Sequence, residues 1–532
     1  MDFLHQFVYF LLLFWSRGSG ATSWRSFEAA TRRGVRRGAL ATLRAMILDR
    51  AELARALGTE IPPSVKGIAG VTHDSRLVEP GFAFVAIPGF KRDGIDFAPE
   101  ALRRGAALVV AETEVVGTPT AVVPDARNSL AALARAVYGD PSRSLEVYGV
   151  TGTNGKTTSA YALYSTLAGA YGAGASGLMT TAETIFSGER RPAVRTTPEA
   201  TEVQRTLAEM LETGVRRVVM EVSSHGVALG RVAGMRFAGA LFTNLTRDHL
   251  DLHGSMEEYY AAKRELFYLT EGPKLANAED PWGRRLIEEI GDVRTFGGTA
   301  DADYRVAEVE VARNRTSFEL HHRGGALRLE TPLLGRYNAL NVAGAASLAL
   351  EAGVGEAAVA GALREMEQVP GRFERIAKAG DSGFEVIVDY AHTDVGLGAV
   401  LEVARGLTDG SGRVICVYGA AGERDGAKRP KMGRVAAELA DLSIVTTDDA
   451  YSENPAKIAR EVVSGVANGH AEVVLDRREA ILRALLAARE GDVVVVAGKG
   501  HEMIQHLPTG DLPFHDATVV AELLEELGKK EE

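Results

Sequence analysis

The residues best suited to chemistry lie near the middle of the 532-residue chain. Thr151-Gly152-Thr153-Asn154-Gly155-Lys156-Thr157-Thr158 follows the apolar run LEVYGV and opens the helical pattern TTSAYALYSTLAGAY. A strand, a glycine-rich turn and a helix N-terminus together surround a phosphate with backbone N–H groups. Lys156 supplies a point charge for β/γ-phosphates, and the Thr157 hydroxyl a ligand for Mg²⁺. The spacing departs from G-x-x-x-x-G-K-T: Val150 stands where the first glycine belongs, and Gly149 comes one residue early. A chance glycine-rich turn is the bland alternative, so the neighbouring residues decide.

Glu221 ends the apolar run RRVVME. A carboxylate at the C-terminal end of a parallel strand faces the crevice where doubly wound folds bind ligands. Asn244-Leu245-Thr246-Arg247-Asp248-His249-Leu250-Asp251-Leu252-His253-Gly254 follows another strand, and Lys263 stands in YYAAK. Singly, such a residue is more often a satisfied structural group than a ligand. Together, DHLDLHG is too polar for a buried connection without a purpose. Mg²⁺ prefers oxygen, which makes Glu221 the safer ligand and leaves His249 in need of further support.

The elements that position these groups read as three blocks. Residues 67–143 alternate short β-like runs (FAFVAI, ALVVAE, TAVVP) with helical pattern, a small α/β unit. From 145 to about 365, strands and helices alternate in the manner of a doubly wound, mostly parallel sheet. After the turn VPGRFER at 369–375, the strands VIVDYAH, RVICVYGA, LSIVTT and DVVVVAG alternate with helices as a second α/β sheet. The expected division is 46–143, 144–370 and 371–532.

Composition narrows the class. Sixty basic against 71 acidic residues give a net charge of −11, which argues against a nucleic-acid-coating protein. Cys416, the single cysteine, excludes a disulfide scaffold and a cysteine-rich metal site, and suits a reducing cytoplasm. The apolar run at 3–15 is shorter than the roughly 20 residues a membrane helix needs. Seven arginines follow within residues 1–45, and Asp2 stands where a signal peptide wants positive charge. Met46 opens a normal cytoplasmic start. Residues 1–45 therefore read as an over-extended start or a disordered leader, with a targeting leader as the alternative. The expectation is a cytoplasmic monomer without stable membrane insertion.

In this order the motifs resemble the Mur ligase family of ATP-dependent amide-forming enzymes, from about residue 67 to 510. Gly152, Thr153, Asn154, Gly155, Lys156, Thr157 and Thr158 look like the family's nucleotide loop, and EVSSHG, NLTRDHLDLHG and YYAAKR like its central motifs. The resemblance implies a central P-loop-like doubly wound domain, a small N-terminal α/β UDP-binding domain and a C-terminal Rossmann-like α/β domain. It implies Glu221 and His249 as metal ligands beside Thr157, and a carbamylated Lys263 holding a second Mg²⁺. Asn277, Asp280, Asn338 and Asn341 match segments that meet the nucleotide, and Arg372 and His392 residues that close over ATP.

Within the family, the resemblance is to the ligase that adds a diamino acid to UDP-N-acetylmuramoyl-L-alanyl-D-glutamate. Ser75 and Arg76 match its UDP-binding domain, while Thr196, Thr197, Ser224 and Arg231 match contacts to the muramoyl-dipeptide. Arg424 would clamp the incoming α-carboxylate, and Gly498 and Glu502 would receive ammonium groups. Two departures stand out. His392-Thr393 is followed by Asp394-Val395, where the family has Pro-Asp, which shifts a carboxylate by one residue. Asp448-Asp449-Ala450-Tyr451 replaces the D-N-P-R of the diaminopimelate enzymes, and tyrosine cannot replace an arginine fork. Two adjacent aspartates favour a cationic side chain, so the expectation leans to L-lysine or a related diamine over meso-2,6-diaminopimelate.

The implied chemistry is an acyl phosphate on the D-Glu γ-carboxylate, which the incoming amine then attacks. The third block would close on the second about the turn at 369–371. The base for the amine cannot be picked from these residues. A folylpolyglutamate-synthase-like ligase shares the loop but lacks DSR…DGIDF; a nucleotide switch or motor needs neither YAAK nor GERDGAKRP. A catalytically inactive nucleotide-binding homologue is the remaining alternative.

Overall fold

A computed structural model describes residues 47–89, 92–376, 383–408, 410–467 and 471–531. The leader expected over residues 1–45 lies outside the described residues. Residues Met46–Glu532 form one compact unit, organised around three sheets.

The first sheet holds four parallel strands in chain order, Gly70–Thr72, Phe82–Val85, Leu108–Ala111 and Thr120–Val122. Leu108–Ala111 is buried throughout, as a strand covered on both faces must be. Helix Ala126–Val137 starts at Asp125, whose carboxylate accepts from Asn128 N at 2.9 Å and satisfies one free helix donor.

The central sheet has eleven strands. Seven neighbours run parallel: Ser176–Met179, Arg217–Glu221, Glu146–Thr151, Gly239–Phe242, Lys274–Asn277, Arg294–Gly297 and Tyr304–Val311. The antiparallel borders are absent from the sequence reading. Glu183–Phe186 and Glu189–Pro192 extend one side; Thr316–His322 and Gly325–Thr331 extend the other. Thr316–His322 alternates buried and half-buried residues, the pattern of a strand with one wet face, which is why it does not read as a parallel core strand. Glu146–Thr151 lies between Arg217–Glu221 and Gly239–Phe242. Chain order reverses at that strand, and the crevice beyond its C-terminal end is where such sheets bind ligands.

Helix Met256–Tyr268 carries Lys263 into the core. Ser255 caps it, accepting from Glu258 N at 3.2 Å, and Glu257 and Glu258 complement the dipole in its first turn. Tyr259, Lys263, Leu266 and Phe267 share helical spacing and are all buried, so Lys263 sits on the apolar face.

The third sheet runs Glu374–Arg375, Glu385–Asp389, Val493–Ala497, Val414–Tyr418, Leu442–Val445, Ala471–Val473; all but the first strand are parallel. Val493–Ala497, last of these in the chain, inserts between the second and third. That creates another switch point, beside Asp389, Gly419 and Gly498. Behind it, Arg477 and Asp516 form an ion pair at 2.7 Å with both side chains fully buried, and Arg477 Nη2 also donates to Ala497 O at 2.9 Å. Removing one partner strands a buried charge. Arg477→Ala should cost about 3–5 kcal/mol in urea unfolding, with part recovered when Asp516→Ala is added. A loss well below 1 kcal/mol would show the pair to be dispensable.

Candidate active site

The loop after Thr151 requires glycine at two places. Gly152 and Gly155 have φ of 149° and 83°. A Cβ would stand 1.9 Å from Thr243 Oγ1 at the first and 2.1 Å from Asn341 Oδ1 at the second. The neighbouring strand end holds the loop: Thr243 Oγ1 donates to Asn154 O at 2.6 Å, and Asn154 N donates to Asn244 Oδ1 at 2.9 Å. Lys156 Nζ folds back on the carbonyls of Gly152 and Thr153, at 3.0 and 2.8 Å. Lys263 Nζ reaches the same Gly152 carbonyl from behind, at 2.7 Å, and lies 4.6 Å from the centre of the Tyr259 ring. Burial, and next the charge of Lys156, hold Lys263 well below lysine's ordinary pKa.

In front of the loop is a cavity of about 430 Å³. Thr153, Asn154, Gly155, Lys156, Thr157, Thr158, Glu221, His249, Asn277, Asn338, Asn341, Arg372 and His392 line it, so most of the sequence-predicted nucleotide and metal residues meet there. Thr181 fixes Glu221 by donating from its backbone N at 2.9 Å and its hydroxyl at 3.1 Å. Arg372 Nη2 donates to Thr157 Oγ1 at 3.1 Å, which joins the third block to the loop. His249 has φ of 54°, and burial lowers its pKa despite the Asp248 carboxylate 3.4 Å away. Among the described residues no three His, Cys, Asp or Glu side chains form a ready metal cluster. Thr157, Glu221 and His249 share the cavity wall, whereas Lys263 lies behind the loop.

Other sequence-predicted residues stand elsewhere. Asp280 caps helix Pro281–Ile290: Oδ1 accepts from Trp282 N and Gly283 N, and Oδ2 from Leu245 N, so its carboxylate is occupied by backbone away from the cavity wall. Asp394 also misses the cavity, which is lined at that point by Val395, Gly396 and Ala399; the shifted carboxylate is replaced there by an apolar shelf. Thr196 lines the cavity, and its hydroxyl lies 2.9 Å from Thr181 Oγ1, to which it donates while Thr181 donates to Glu221. Thr197 is fully buried and donates to Glu221 O at 3.0 Å, Arg231 binds Thr197 O and Glu199, and Ser224 is buried beside them. Ser75 donates to Glu100 and Arg76 pairs with Asp74 on the first block, and neither lines the cavity.

A second cavity of about 170 Å³ gathers all six residues expected around the incoming amino acid: Arg424, Asp448, Asp449, Tyr451, Gly498 and Glu502. It shares Asp248, His249, Tyr390 and His392 with the first cavity. Lys499, fully buried, donates to Asp449 Oδ1 at 2.7 Å and Glu502 Oε2 at 2.9 Å. Asp449 is thus paired internally, which reduces without cancelling the negative charge that Asp448, Asp449 and Glu502 bring to this cavity. Tyr451 stacks on His506, with ring centres 5.1 Å apart, and the Arg424 guanidinium lies 5.6 Å from the Tyr451 ring. Lys499 sits inside GKGHE but went unassigned; Thr181 carries no sequence signal at all.

A phosphate-type loop at one switch point, opening through a shared wall onto a charged pocket at another, defines a nucleotide-dependent group-transfer enzyme. Family models match residues 67–144 (Mur ligase family, catalytic domain), 150–349 (Mur ligase middle domain) and 371–500 (Mur ligase, glutamate ligase domain). The chain is 43% identical over 464 residues to UDP-N-acetylmuramoyl-L-alanyl-D-glutamate–2,6-diaminopimelate ligase of Gloeobacter violaceus, covering 86% of this chain and 94% of that one. The relative of the same name from Solibacter usitatus is 41% identical, over 91% of this chain and 98% of its own. A solved structure of a ligase of that name superposes with a TM-score of 0.64 at 29% identity, covering 91% of this chain and all of that one. The chain belongs to the Mur ligase family, whose members are ATP-dependent amide-bond-forming ligases.

His501, beside Glu502, gives the site a pH signature. Burial, and next the charge of Arg372, push its imidazole down to about 3 from 6.5. The folded state resists a proton that the unfolded chain accepts, so this contribution to stability is complete above pH 6.5 and lost as pH falls toward 3. His501→Gln should flatten the fall of the melting temperature over that window; an unchanged slope would contradict the assignment.

Proposed function

We propose that the chain uses ATP to join a diamino acid to the D-glutamate γ-carboxylate of UDP-N-acetylmuramoyl-L-alanyl-D-glutamate. The observation that carries this reading is the shared wall of Asp248, His249, Tyr390 and His392 between the loop cavity and the amino-acid cavity. A carboxylate phosphorylated at that wall is presented to an amine held on its other side, which supplies proximity as well as activation. We take the chain as three domains, 46–143, 144–370 and 371–532, acting in the cytoplasm as a monomer without membrane insertion. Among the described residues no helix is long and apolar enough to cross a membrane.

Lys156 and Arg372 would hold the transferring phosphoryl group, with the backbone of Gly152–Thr158 around the nucleotide phosphates and Asn277, Asn338 and Asn341 toward its base. The oxygens of Thr157 and Glu221 with the His249 nitrogen form a donor set that fits Mg²⁺ on its oxygen side. The depressed pKa of Lys263 favours the neutral amine that carbamylation needs. A carbamate there would turn a buried cation into an anionic ligand. When bound, Mg²⁺ would offset the phosphate charge. Thr196, Thr197, Ser224 and Arg231 would shape the dipeptide site, with Ser75 and Arg76 at the UDP end; Arg424 would clamp the incoming α-carboxylate and Glu502 its ammonium.

The names of the relatives favour 2,6-diaminopimelate as the added amino acid, and the pairing of Asp449 with Lys499 weakens the argument for a purely cationic side chain. Tyr451, in place of an arginine, favours L-lysine as a second reading. ADP release should require the UDP-muramoyl-dipeptide and be strongest with diaminopimelate. Release with L-lysine alone would establish the second reading, and release with neither would overturn the function. Lys263→Ala should lower turnover at least about 100-fold, with partial rescue by short carboxylic acids; full activity would remove the carbamate from the reaction.

A further inference from the structure

We propose that His392 is the base that takes the proton from the incoming ammonium group. The assignment rests on the ligase reading above and supplies its missing residue, because an amine must lose a proton before it can attack. Four side chains line both cavities, and the reacting nitrogen must pass between them. Three are unsuited. His249 belongs with the metal donors. Burial holds the Tyr390 phenol well above its ordinary range, so it stays protonated, and a neutral phenol oxygen is too weakly basic to take a proton from an ammonium group. Asp248 is already engaged by its neighbour: Oδ1 accepts from His249 N at 3.0 Å, and Oδ2 lies 3.4 Å from His249 Nε2.

His392 has the required geometry. Its Nδ1 lies 2.9 Å from Tyr390 O. A carbonyl can only accept, so Nδ1 carries the hydrogen and the neutral ring presents its lone pair at Nε2. Nε2 lies 3.8 Å from Asp248 Oδ2, too far for a hydrogen bond yet close enough to stabilise an imidazolium. The ring also packs edge-on against Tyr390, with centroids 4.7 Å apart. About 29% of the His392 side chain is exposed, leaving it open to a ligand. The charged and titratable groups that line the cavities beside it include Asp389 and Tyr390 on its own segment, Asp248 and His249 from the central block, Arg424, Asp425 and Lys428 from the third, and Arg372 over the Tyr390 ring.

The step balances. The ammonium group gives one proton to His392 Nε2, and the freed nitrogen lone pair forms the C–N bond to the acyl carbon. Collapse of the tetrahedral adduct breaks the C–O bond to phosphate, which leaves with the electron pair and takes the second nitrogen proton as hydrogen phosphate. The imidazolium returns its proton to solvent.

Hydroxylamine tests this, because it is already a neutral nucleophile near pH 7 and needs no base. Wild type, His392→Asn and His392→Gln would be given ATP and UDP-muramoyl-dipeptide with either diaminopimelate or hydroxylamine. The ratio of peptide to hydroxamate formed should fall at least about 100-fold in both variants. An unchanged ratio, including equal loss of both products, would overturn the assignment and leave His392 with the nucleotide alone. Wild-type chain forming neither product would overturn the ligase reading and this assignment with it.

Discussion

Two lysine side chains, the buried Lys263 and the half-buried Lys156, converge on one carbonyl oxygen, that of Gly152, and the rest of the site follows from that crowding. Lys156 approaches from the loop and Lys263 from the helix behind it. Like charges in a low-dielectric place repel strongly, and one carbonyl dipole cannot satisfy both. The arrangement calls for anions: phosphate in front and, behind, conversion of one lysine. Glu221, held rigid by Thr181, and Asp248 are the nearest fixed negative charges. The glycines of the loop are needed because Thr243 and Asn341 press against it to keep that geometry.

The third sheet brings its own charges to the same place. Arg372 crosses to Thr157, and the turn that bears it is confined, since a Cβ on Gly371 would stand 2.2 Å from His501 N. The amino-acid pocket repeats the logic of the first with signs reversed. There a buried lysine bridges two carboxylates, Asp449 and Glu502, and partly offsets their charge.

Much of this was legible in the sequence because it is local. The loop motif reports its own strand–turn–helix setting, and the six residues gathered in the second cavity fall in three short segments that parallel strands deliver to one edge. What escaped depends on distance along the chain. Lys499 meets Asp449 across 50 residues and Thr181 meets Glu221 across 40. Asp280, in a nucleotide-like segment, spends its carboxylate on a helix cap, a use its motif does not announce. Asp394 shows how a shift of one residue turns a side chain off a helix face and leaves Val395 in its place. The antiparallel borders went unseen because their alternation marks a half-wet strand and carries no partner information.

Those borders have a consequence for the protein at high concentration. The outermost strand on one side, Glu189–Pro192, is exposed along its length and reads Glu-Arg-Arg-Pro. A neighbouring chain seeking to add a strand would meet three charges and a residue with no N–H to donate. An eleven-stranded sheet is a long template for aggregation, and this border blunts one end of it without using any residue of the reaction.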